Sequence, residues 1–421
     1  MIDILKINYE KFILDNGLEV VLYPDKTLPL VSVNIWYKVG SANEKNGKTG
    51  FAHLFEHMMF QGSRNVPKEM HFRYIQEAGG SLNGSTSFDR TNYYQTVPSS
   101  FLEMVLWLES DRMGYLLPAL TQEKLDNQKS VVMNERRQRY ENQPYGLAWE
   151  ILFNNLFPED HPYSWPTIGW MRDIENFEIE DVKTFFSTYY SPANASLVIG
   201  GDFNISKAKS LVQKYFGSIP AMKEIPEITA PSPELNDIIR IDHKDNVQLP
   251  RLYIAWHSDK LFGPEDASLD ILADVLSGSK NSRLYKSLVF DKQIAQDVSA
   301  FQYSAKLCGA FIIVTTAKPG INLNTLREEI FKEITLLFKN GVTEKEIIRS
   351  KNSIKSTFIY SLQNLENKTN QINNYNCDLH APDSFNYDLD RFGKVNSRNI
   401  IDTAKKYLEK PFTELHILPK D

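Results

Sequence analysis

The chain has 421 residues, which is too long for one ordinary hydrophobic core and predicts about two or three domains. Hydrophobic residues make up 42% of the chain and charged residues 24%, which is the balance of a globular protein rather than a disordered one. The net charge of -6 argues against a nucleic-acid-binding protein, and two cysteines are too few for a disulfide framework.

The first half of the sequence alternates strand patterns with amphipathic helix patterns. Asn16-Gly17 separates two apolar runs, which is the pattern of a β-hairpin. The elements predicted after it are a strand over Leu30–Val39, helices over Thr49–Phe60 and Pro67–Ala78, strand-like residues over Ser81–Pro98, helices over Phe101–Leu117 and Thr121–Tyr140, a strand over Ala195–Gly200 and a helix over Ile205–Phe216.

A proline-rich stretch separates this half from a second series of elements in a similar order. Residues 223–248 are predicted to be a linker between domains at residues 1–222 and 249–421. The second series consists of a strand over Arg251–His257, helices over Ala267–Leu276 and Ser282–Val289, a strand over Phe311–Ala317, helices over Leu323–Lys339 and Thr343–Leu362, and a strand over Glu414–Leu418. We therefore expect an α+β protein of two homologous domains, each with an antiparallel sheet and segregated helices.

The sharpest chemical signal is the pentad His53-Leu-Phe-Glu56-His57 on a predicted helix. At about 100° per residue, both imidazoles and the Glu56 carboxylate fall on one face of that helix. Two histidines one turn apart can bind the same metal ion, and the neighbouring carboxylate can take a proton from a water molecule. This order of residues is typical of the inverted zinc peptidase motif. An amphipathic helix with two buried histidines is the alternative interpretation.

A catalytic zinc ion needs a third protein ligand and one open position. Glu135 is the best candidate because it directly follows an apolar turn at residues 131–133 of a later predicted helix. Glu123 and Glu141 are weaker candidates, since neither follows that turn directly. Gln128 lies seven residues before Glu135, on the same face of the helix.

Several motifs along the chain form a recognisable set. They are Leu14-Asp-Asn-Gly-Leu-Glu-Val, the segment Gly50–Gly62, Gly79-Gly80-Ser-Leu-Asn-Gly-Ser-Thr, Val132-Met-Asn-Glu135-Arg-Arg, Tyr189-Tyr-Ser-Pro-Ala-Asn and Ser282-Arg-Leu-Tyr. Together they resemble the pitrilysin family of zinc peptidases, and in particular its half-length members, the mitochondrial processing peptidase subunits and their bacterial homologues. The resemblance implies that the chain forms half of a four-domain clamshell.

The resemblance also implies the roles of individual residues. It implies that His53, His57 and Glu135 bind one zinc ion per chain and that Glu56 is the general base. Gln128 stands where many members have a Glu that supports a metal-bound histidine, and an amide can accept that hydrogen bond without adding charge. The substrates would be peptides or unfolded segments that bind in an extended form along a sheet edge. The residues of that edge strand are Leu82, Asn83, Gly84, Ser85 and Thr86.

The second half departs from the self-sufficient members of this family. Those members carry an Arg and a Tyr in a Leu-Arg-x(6)-Tyr pattern, and here Val289 and Gln296 stand at these positions. Aliphatic residues also replace the metal ligands and the base, namely Leu269, Leu272 and Ala273. We expect a paralogous subunit to supply the Arg and the Tyr in a heterodimer, with a homodimer as the alternative.

Two other functions compete with that of a peptidase subunit. A non-catalytic assembly or core subunit is disfavoured by the intact pentad, and a structural zinc site by the presence of only three evident ligands. We expect no membrane insertion, because no window approaches the about 20 apolar residues that span a bilayer. The opening residues lack a signal-peptide pattern, which predicts a cytoplasmic location, or a periplasmic one if a signal has been removed.

Overall fold

The computed structural model describes residues 5–221 and 225–420, and the chain divides into two compact units. Each unit draws on three stretches of the chain. The first unit comprises Met1–Arg136, Thr167–Ile228 and Phe358–Asn386. The second unit comprises Arg137–Pro166, Thr229–Thr357 and Tyr387–Asp421.

Both units contain strands and helices, which confirms the α+β prediction. The strands are β1 Glu10–Ile13, β2 Glu19–Pro24, β3 Leu30–Tyr37, β4 Ser81–Thr86, β5 Thr91–Pro98, β6 Ala195–Gly201, β7 Ile239–Asp245, β8 Arg251–Ser258, β9 Ala295–Tyr303, β10 Gly309–Ala317 and β11 Thr413–Pro419. The helices are α1 Phe51–Met58, α2 Met70–Glu77, α3 Leu102–Tyr115, α4 Gln122–Arg136, α5 Ala148–Leu156, α6 Met171–Glu175, α7 Ile179–Tyr189, α8 Ile205–Phe216, α9 Asp266–Ser277, α10 Leu323–Asn340, α11 Glu344–Ser361, α12 Leu365–Leu379, α13 Phe385–Lys394 and α14 Ser397–Leu408. Two π-helical segments occur at Arg137–Glu141 and Tyr285–Asp291.

The two sheets repeat one strand order. The first sheet has the order β1-β2-β6-β3-β5-β4 and the second has the order β7-β11-β8-β10-β9. Without β1, the strands of the first sheet match those of the second one by one in chain order. This agreement supports the internal duplication that the sequence predicts.

One strand pair in each sheet corrects the expectation of purely antiparallel sheets. The pairs β2–β6 and β7–β11 are parallel, whereas the other pairs are antiparallel. Parallel neighbours need a long crossover connection. The connection exists here because β6 and β11 are the last strands of their sheets in sequence and follow long helical stretches.

Part of the predicted linker over residues 223–248 is a strand. β7 lies at one edge of the second sheet, where it pairs with β11. Its residues alternate between half-buried and exposed, as expected for a strand with one solvent-facing side. Residues 239–245 of the predicted linker therefore form an edge strand of the second sheet.

The compact units divide the chain by packing, whereas the predicted domains at residues 1–222 and 249–421 divide it by sequence. The two divisions differ in two segments. Helix α5 packs on β8 and β11 of the second unit, and α12 packs on β3 and β6 of the first. We retain the predicted boundaries as a proposal for the extent of the homologous domains.

The first sheet has two faces of different chemistry. On β3, the alternate residues Val31, Val33 and Ile35 are fully buried on the face that carries α1 and α3. The opposite face is covered by α12 and presents polar residues, among them Ser32 and Asn34. The apolar core of this unit therefore lies on the α1 side.

No helix within residues 5–221 and 225–420 combines the length and the apolar character that crossing a bilayer requires.

Candidate metal centre

Helix α1 presents the pentad on its less buried side. Four large apolar side chains bury the other side of this helix: Phe51, Leu54, Phe55 and Met58. The ring of Phe55 lies 4.2 Å from that of Tyr190, and the ring of Phe51 lies 4.5 Å from that of Phe177, measured between centroids. The period of the helix therefore leaves His53, Glu56 and His57 together on the open side.

Polar contacts fix the start of α1. The Glu44 carboxylate accepts hydrogen bonds from the backbone N–H groups of Gly50 (2.9 Å) and Ala52 (2.7 Å), which lack partners within the helix. Gly50 has a φ of 88°, and a Cβ atom there would lie 2.4 Å from the carbonyl oxygen of Ile168. Glycine is required at this position because a side chain would be strained and would also clash.

Helix α4 brings Glu135, the predicted third ligand, to this face. Glu135 Oε2 lies 3.3 Å from His57 Nε2, and Glu135 Oε1 lies 3.9 Å from His53 Nε2. The end of α4 is anchored by Arg136, whose Nη1 donates to the Gly169 carbonyl oxygen at 3.0 Å. This carbonyl belongs to the loop that packs against the start of α1. The two helices that carry the predicted ligands therefore both contact the same loop.

The three side chains fit a zinc ion. One ligand atom from each of His53, His57 and Glu135 lies within 4.8 Å of the others. Ligands of a tetrahedral zinc ion with bonds of about 2.0–2.2 Å are about 3.3 Å apart, so only small side-chain shifts are needed. Two imidazoles and one carboxylate are a donor set found in catalytic zinc sites. The described residues include no second cluster of this kind.

Glu56 lies beside the ligands and against strand β4. The Thr86 hydroxyl donates to Glu56 Oε2 at 2.5 Å. Burial raises the pKa of the Glu56 carboxyl, the Thr86 hydrogen bond and the His57 charge counteract part of that rise, and Glu135 adds to it. A Cβ atom at Gly84 would lie 3.1 Å from Glu56 Cγ and Oε1, so the backbone of β4 closely approaches this carboxylate.

Strand β4 is an edge strand of the first sheet. It pairs with β5 and has no strand on its other side among the described residues. The predicted peptide-binding residues 82–86 all lie on it. The Gly84 N–H donates to Asn83 Oδ1 at 2.9 Å, so a side chain of the same strand takes one backbone donor. An edge strand beside Glu56 has the geometry to accept an extended peptide.

Gln128 is buried on α4, with 5% of its surface exposed. Its Nε2 donates to Asn127 Oδ1 at 2.9 Å. Its support of a metal-bound histidine stays a prediction.

The second unit has neither an Arg nor a Tyr at the two expected positions. Val289 lies in the π-helical segment and packs against the hydrophobic core of that unit. Gln296 is exposed on β9, an edge strand of the second sheet.

Sequence reasoning missed the contacts behind strand β4. It placed Thr86 on the peptide-binding strand but did not predict the contact of Thr86 with Glu56. It also gave no role to Arg90 or Asn92. Arg90 Nη1 donates to the Ser85 carbonyl oxygen at 2.9 Å and to Asn92 Oδ1 at 3.0 Å. The only available signal was the strand-like pattern of residues 81–98, which does not reveal such contacts.

Comparisons with known proteins show which family this chain resembles. Residues 19–161 match a family model described as "Insulinase (Peptidase family M16)", and residues 176–354 match "Peptidase M16 inactive domain". The chain is 32% identical to a zinc protease, PqqE of Helicobacter pylori, over 362 residues that cover 84% of this chain and 80% of the relative. It is 24% identical to a probable mitochondrial-processing peptidase subunit beta of Arabidopsis thaliana, with 82% of this chain and 66% of the relative covered.

A solved structure has the same fold along nearly the whole chain. The crystal structure of a protease from Helicobacter pylori superposes with a TM-score of 0.92 at 28% identity, covering 98% of this chain and 100% of that one. The chain therefore belongs to the pitrilysin family of peptidases, family M16, as one of its half-length members.

Proposed function

We propose that this chain is the zinc-binding subunit of a metalloendopeptidase that hydrolyses peptides or unfolded segments. The observation that carries this proposal is the convergence of two helices and an edge strand. His53, His57 and Glu135 lie close enough to hold one ion, and Glu56 stands between them and β4. A structural zinc site would not need a carboxylate placed in this way beside a peptide-accepting strand.

Each of these residues has its own role in the proposed reaction. His53, His57 and Glu135 would hold the zinc ion, which when bound supplies a Lewis acid that polarises the scissile carbonyl and lowers the pKa of the attacking water. Glu56 acts as the general base, and the Thr86 hydroxyl at 2.5 Å holds one of its oxygens in place. The second oxygen, Oε1, lies on the Gly84 side, where it can face a peptide on β4.

The substrate would add to the sheet as an extended strand beside β4. Backbone hydrogen bonds give affinity in this mode without requiring a particular sequence. The binding strand comprises Leu82, Asn83, Gly84, Ser85 and Thr86. Gly84 lets the peptide backbone and Glu56 approach each other because it has no side chain between them.

We propose that the active enzyme is a heterodimer with a paralogous subunit. Val289 and Gln296 cannot supply a cation or a phenol to the substrate carbonyl, and loss of such donors typically reduces the rate about 10²–10³-fold. One relative of this chain is named as a subunit of mitochondrial-processing peptidase. A homodimer is the alternative, and the cytoplasm is the proposed compartment.

The test is hydrolysis of a quenched-peptide pool, with zinc content measured on the same samples. We expect one zinc per chain, little cleavage by the chain alone, and cleavage on addition of the paralogous subunit that a zinc chelator abolishes. Chelator-sensitive cleavage by the chain alone would support the homodimer. A chain that binds no zinc, or a zinc-loaded complex that cleaves nothing, would refute the proposed peptidase.

A further inference from the structure

We propose that Asn370 on helix α12 is a positioning residue for the peptide-binding strand β4. This inference rests on the proposed function, because it gives β4 the role of accepting substrate. Asn370 lies far from the metal ligands in sequence and comes from the stretch 358–386 that joins the first unit. It acts through a row of three side chains on the face of the sheet opposite Glu56, namely Trp36, Asn92 and Ser85.

The pairing of β3, β5 and β4 aligns these side chains across the sheet. Trp36 on β3 pairs with Asn92 on β5, and Asn92 pairs with Ser85 on β4. Directly paired residues of neighbouring strands point to the same face. Since side chains alternate along a strand, the Thr86 side chain and the Cα hydrogens of Gly84 face Glu56, and the Ser85 side chain faces α12.

The Asn370 side chain gathers three donors at the inner end of the row. Its Oδ1 accepts hydrogen bonds from Trp36 Nε1 (3.0 Å), Asn92 Nδ2 (3.0 Å) and Asn34 Nδ2 (3.3 Å). All three donor residues are buried, with 5% or less of their surface exposed. Removal of this acceptor would leave buried N–H groups without a partner, which is costly.

Asn370 also sets which way the Asn92 amide points. Because Asn92 Nδ2 donates to Asn370, Asn92 Oδ1 faces the other way and accepts from Ser85 Oγ (2.7 Å) and Arg90 Nη1 (3.0 Å). An amide turned by half a rotation would present its NH2 group to the Arg90 guanidinium, and two donors would then face each other.

Arg90 carries the effect to the backbone of β4. Its Nη1 donates to the Ser85 carbonyl oxygen at 2.9 Å and also to Ser85 Oγ, and its guanidinium lies 5.2 Å from the centre of the Trp36 ring. One acceptor on α12 therefore orients an amide and a guanidinium that together hold the middle of the edge strand.

These contacts hold strand β4 from both faces of the sheet before a peptide binds. Thr86 and Gly84 contact Glu56 on one face, and Ser85 is held through Asn92 and Arg90 on the other. Affinity for an added strand increases when less order has to be imposed on binding. Loss of Asn370 should therefore weaken peptide binding and leave the metal site intact.

The experiment compares Asn370→Ala with Asn376→Ala. Asn376 lies on the same helix and donates to Ser196 Oγ (2.8 Å) and Glu19 Oε2 (3.1 Å), away from β4. Both variants lose bonds between α12 and the sheet, so a general loosening of the helix affects both. Amide hydrogen exchange over residues 82–86, zinc content, and KM and kcat of the complex are measured for each, with Asn370→Asp as a variant that keeps an acceptor.

We expect faster exchange of β4 and a KM raised about fivefold in Asn370→Ala alone, with unchanged zinc content and recovery in Asn370→Asp. Equal exchange of β4 in the two alanine variants would overturn the inference. If Asn370→Ala does not fold, Ser85→Ala breaks the same row at its outer end and must show the same rise in KM. A wild-type complex that cleaves nothing would refute the proposed function, while the exchange data would still decide the role of Asn370.

Discussion

Glu135 illustrates how much a single residue depends on the fold for its role. In the sequence it is one of 53 acidic residues in the chain. The packing of α4 against α1 brings its carboxylate to 3.3 Å from His57 Nε2. The pentad could be recognised from spacing alone, because one helix holds all of it. Glu135 was chosen because it follows an apolar turn and because of the resemblance, since no local pattern links it to a helix about 80 residues earlier.

Replacement of Glu135 tests its role directly. We expect Glu135→Gln to lower zinc affinity about 100-fold or more, because an amide is a poor replacement for a charged ligand. Glu141→Gln is the matched control, since Glu141 is exposed and was the weaker candidate. Titration against a competing chelator measures both affinities. Equal zinc affinity of the two variants would show that Glu135 does not bind the metal.

Gly84 matters because it has no side chain. We expect Gly84→Ala to reduce turnover about tenfold or more while zinc content stays the same, because the added methyl group would lie 3.1 Å from Glu56 and displace the carboxylate or the strand. Ser81→Ala changes an exposed position of the same strand and should leave turnover unchanged. Wild-type turnover of Gly84→Ala would remove the close approach from the mechanism.

Glu346 shows a residue whose contribution depends on pH. Its carboxylate accepts from Arg283 Nε (2.7 Å) and Nη2 (2.9 Å) and from the Thr343 N–H (2.8 Å). Burial alone would raise its pKa, but these hydrogen bonds outweigh burial and lower the pKa from 4.5 to about 2. Because the folded pKa lies below the unfolded one, the stabilisation is complete above pH 4.5 and is lost as the pH falls toward 2.

We therefore expect Glu346→Gln to lower the free energy of unfolding of the second unit by about 1–2 kcal/mol at about pH 7, after allowance for solvent screening. Urea unfolding of wild type and variant at several pH values measures the difference. It should shrink between pH 4.5 and 2, where the wild-type carboxylate becomes protonated. A difference that stays constant over this range would contradict the lowered pKa of Glu346.

At the level of helices and strands, the predictions were confirmed where the sequence pattern implied one buried face. The Asn-Gly hairpin and the α1 helix formed as expected, because both patterns are local. Helix α12 was missed because polar residues interrupt its buried face. Thr369, Asn373 and Asn376 are fully buried on it, and hydrophobic periodicity cannot detect such a helix.

The polar face of α12 follows from what it covers. Ser32 and Asn34 of β3 point to that face of the sheet and bond to Thr369 and Asn373. Buried polar groups need partners, so a polar sheet face requires a polar helix. Neither segment reveals this alone, because more than 330 residues separate the partners. For this reason the Asn370 contacts could not be predicted.

At the level of the whole chain, the two sheets share one strand order, but among the described residues only the first unit has a candidate metal site. Helix α9 follows β8 and has Leu269, Leu272 and Ala273 in its buried part, where the first unit has the proposed ligands and base on α1. The absence of a metal site there stays a prediction, made because aliphatic residues cannot bind zinc. The sequence could not predict the exchange of segments between the compact units, which depends on packing alone.

Zinc removal should therefore destabilise the two units unequally. A ligand that binds only the folded state stabilises it by about 2.7 kcal/mol when its concentration is 100 times its Kd. We expect a chelator to speed amide exchange in β2 and β6 of the first unit and to leave β8 and β10 of the second unit unchanged. Uniform acceleration in both units would mean that the metal does not belong to the first unit alone.

The most direct test of the proposed peptidase is the turnover of Glu56→Gln in the complex with the paralogous subunit. Glutamine fills nearly the same volume and can accept from the Thr86 hydroxyl, but it cannot take a proton from water. We predict that the variant binds zinc like the wild type and that its turnover falls about 10²–10⁴-fold. Turnover close to that of the wild type, from protein shown to carry zinc, would contradict the role of Glu56 as the general base and with it the proposed mechanism.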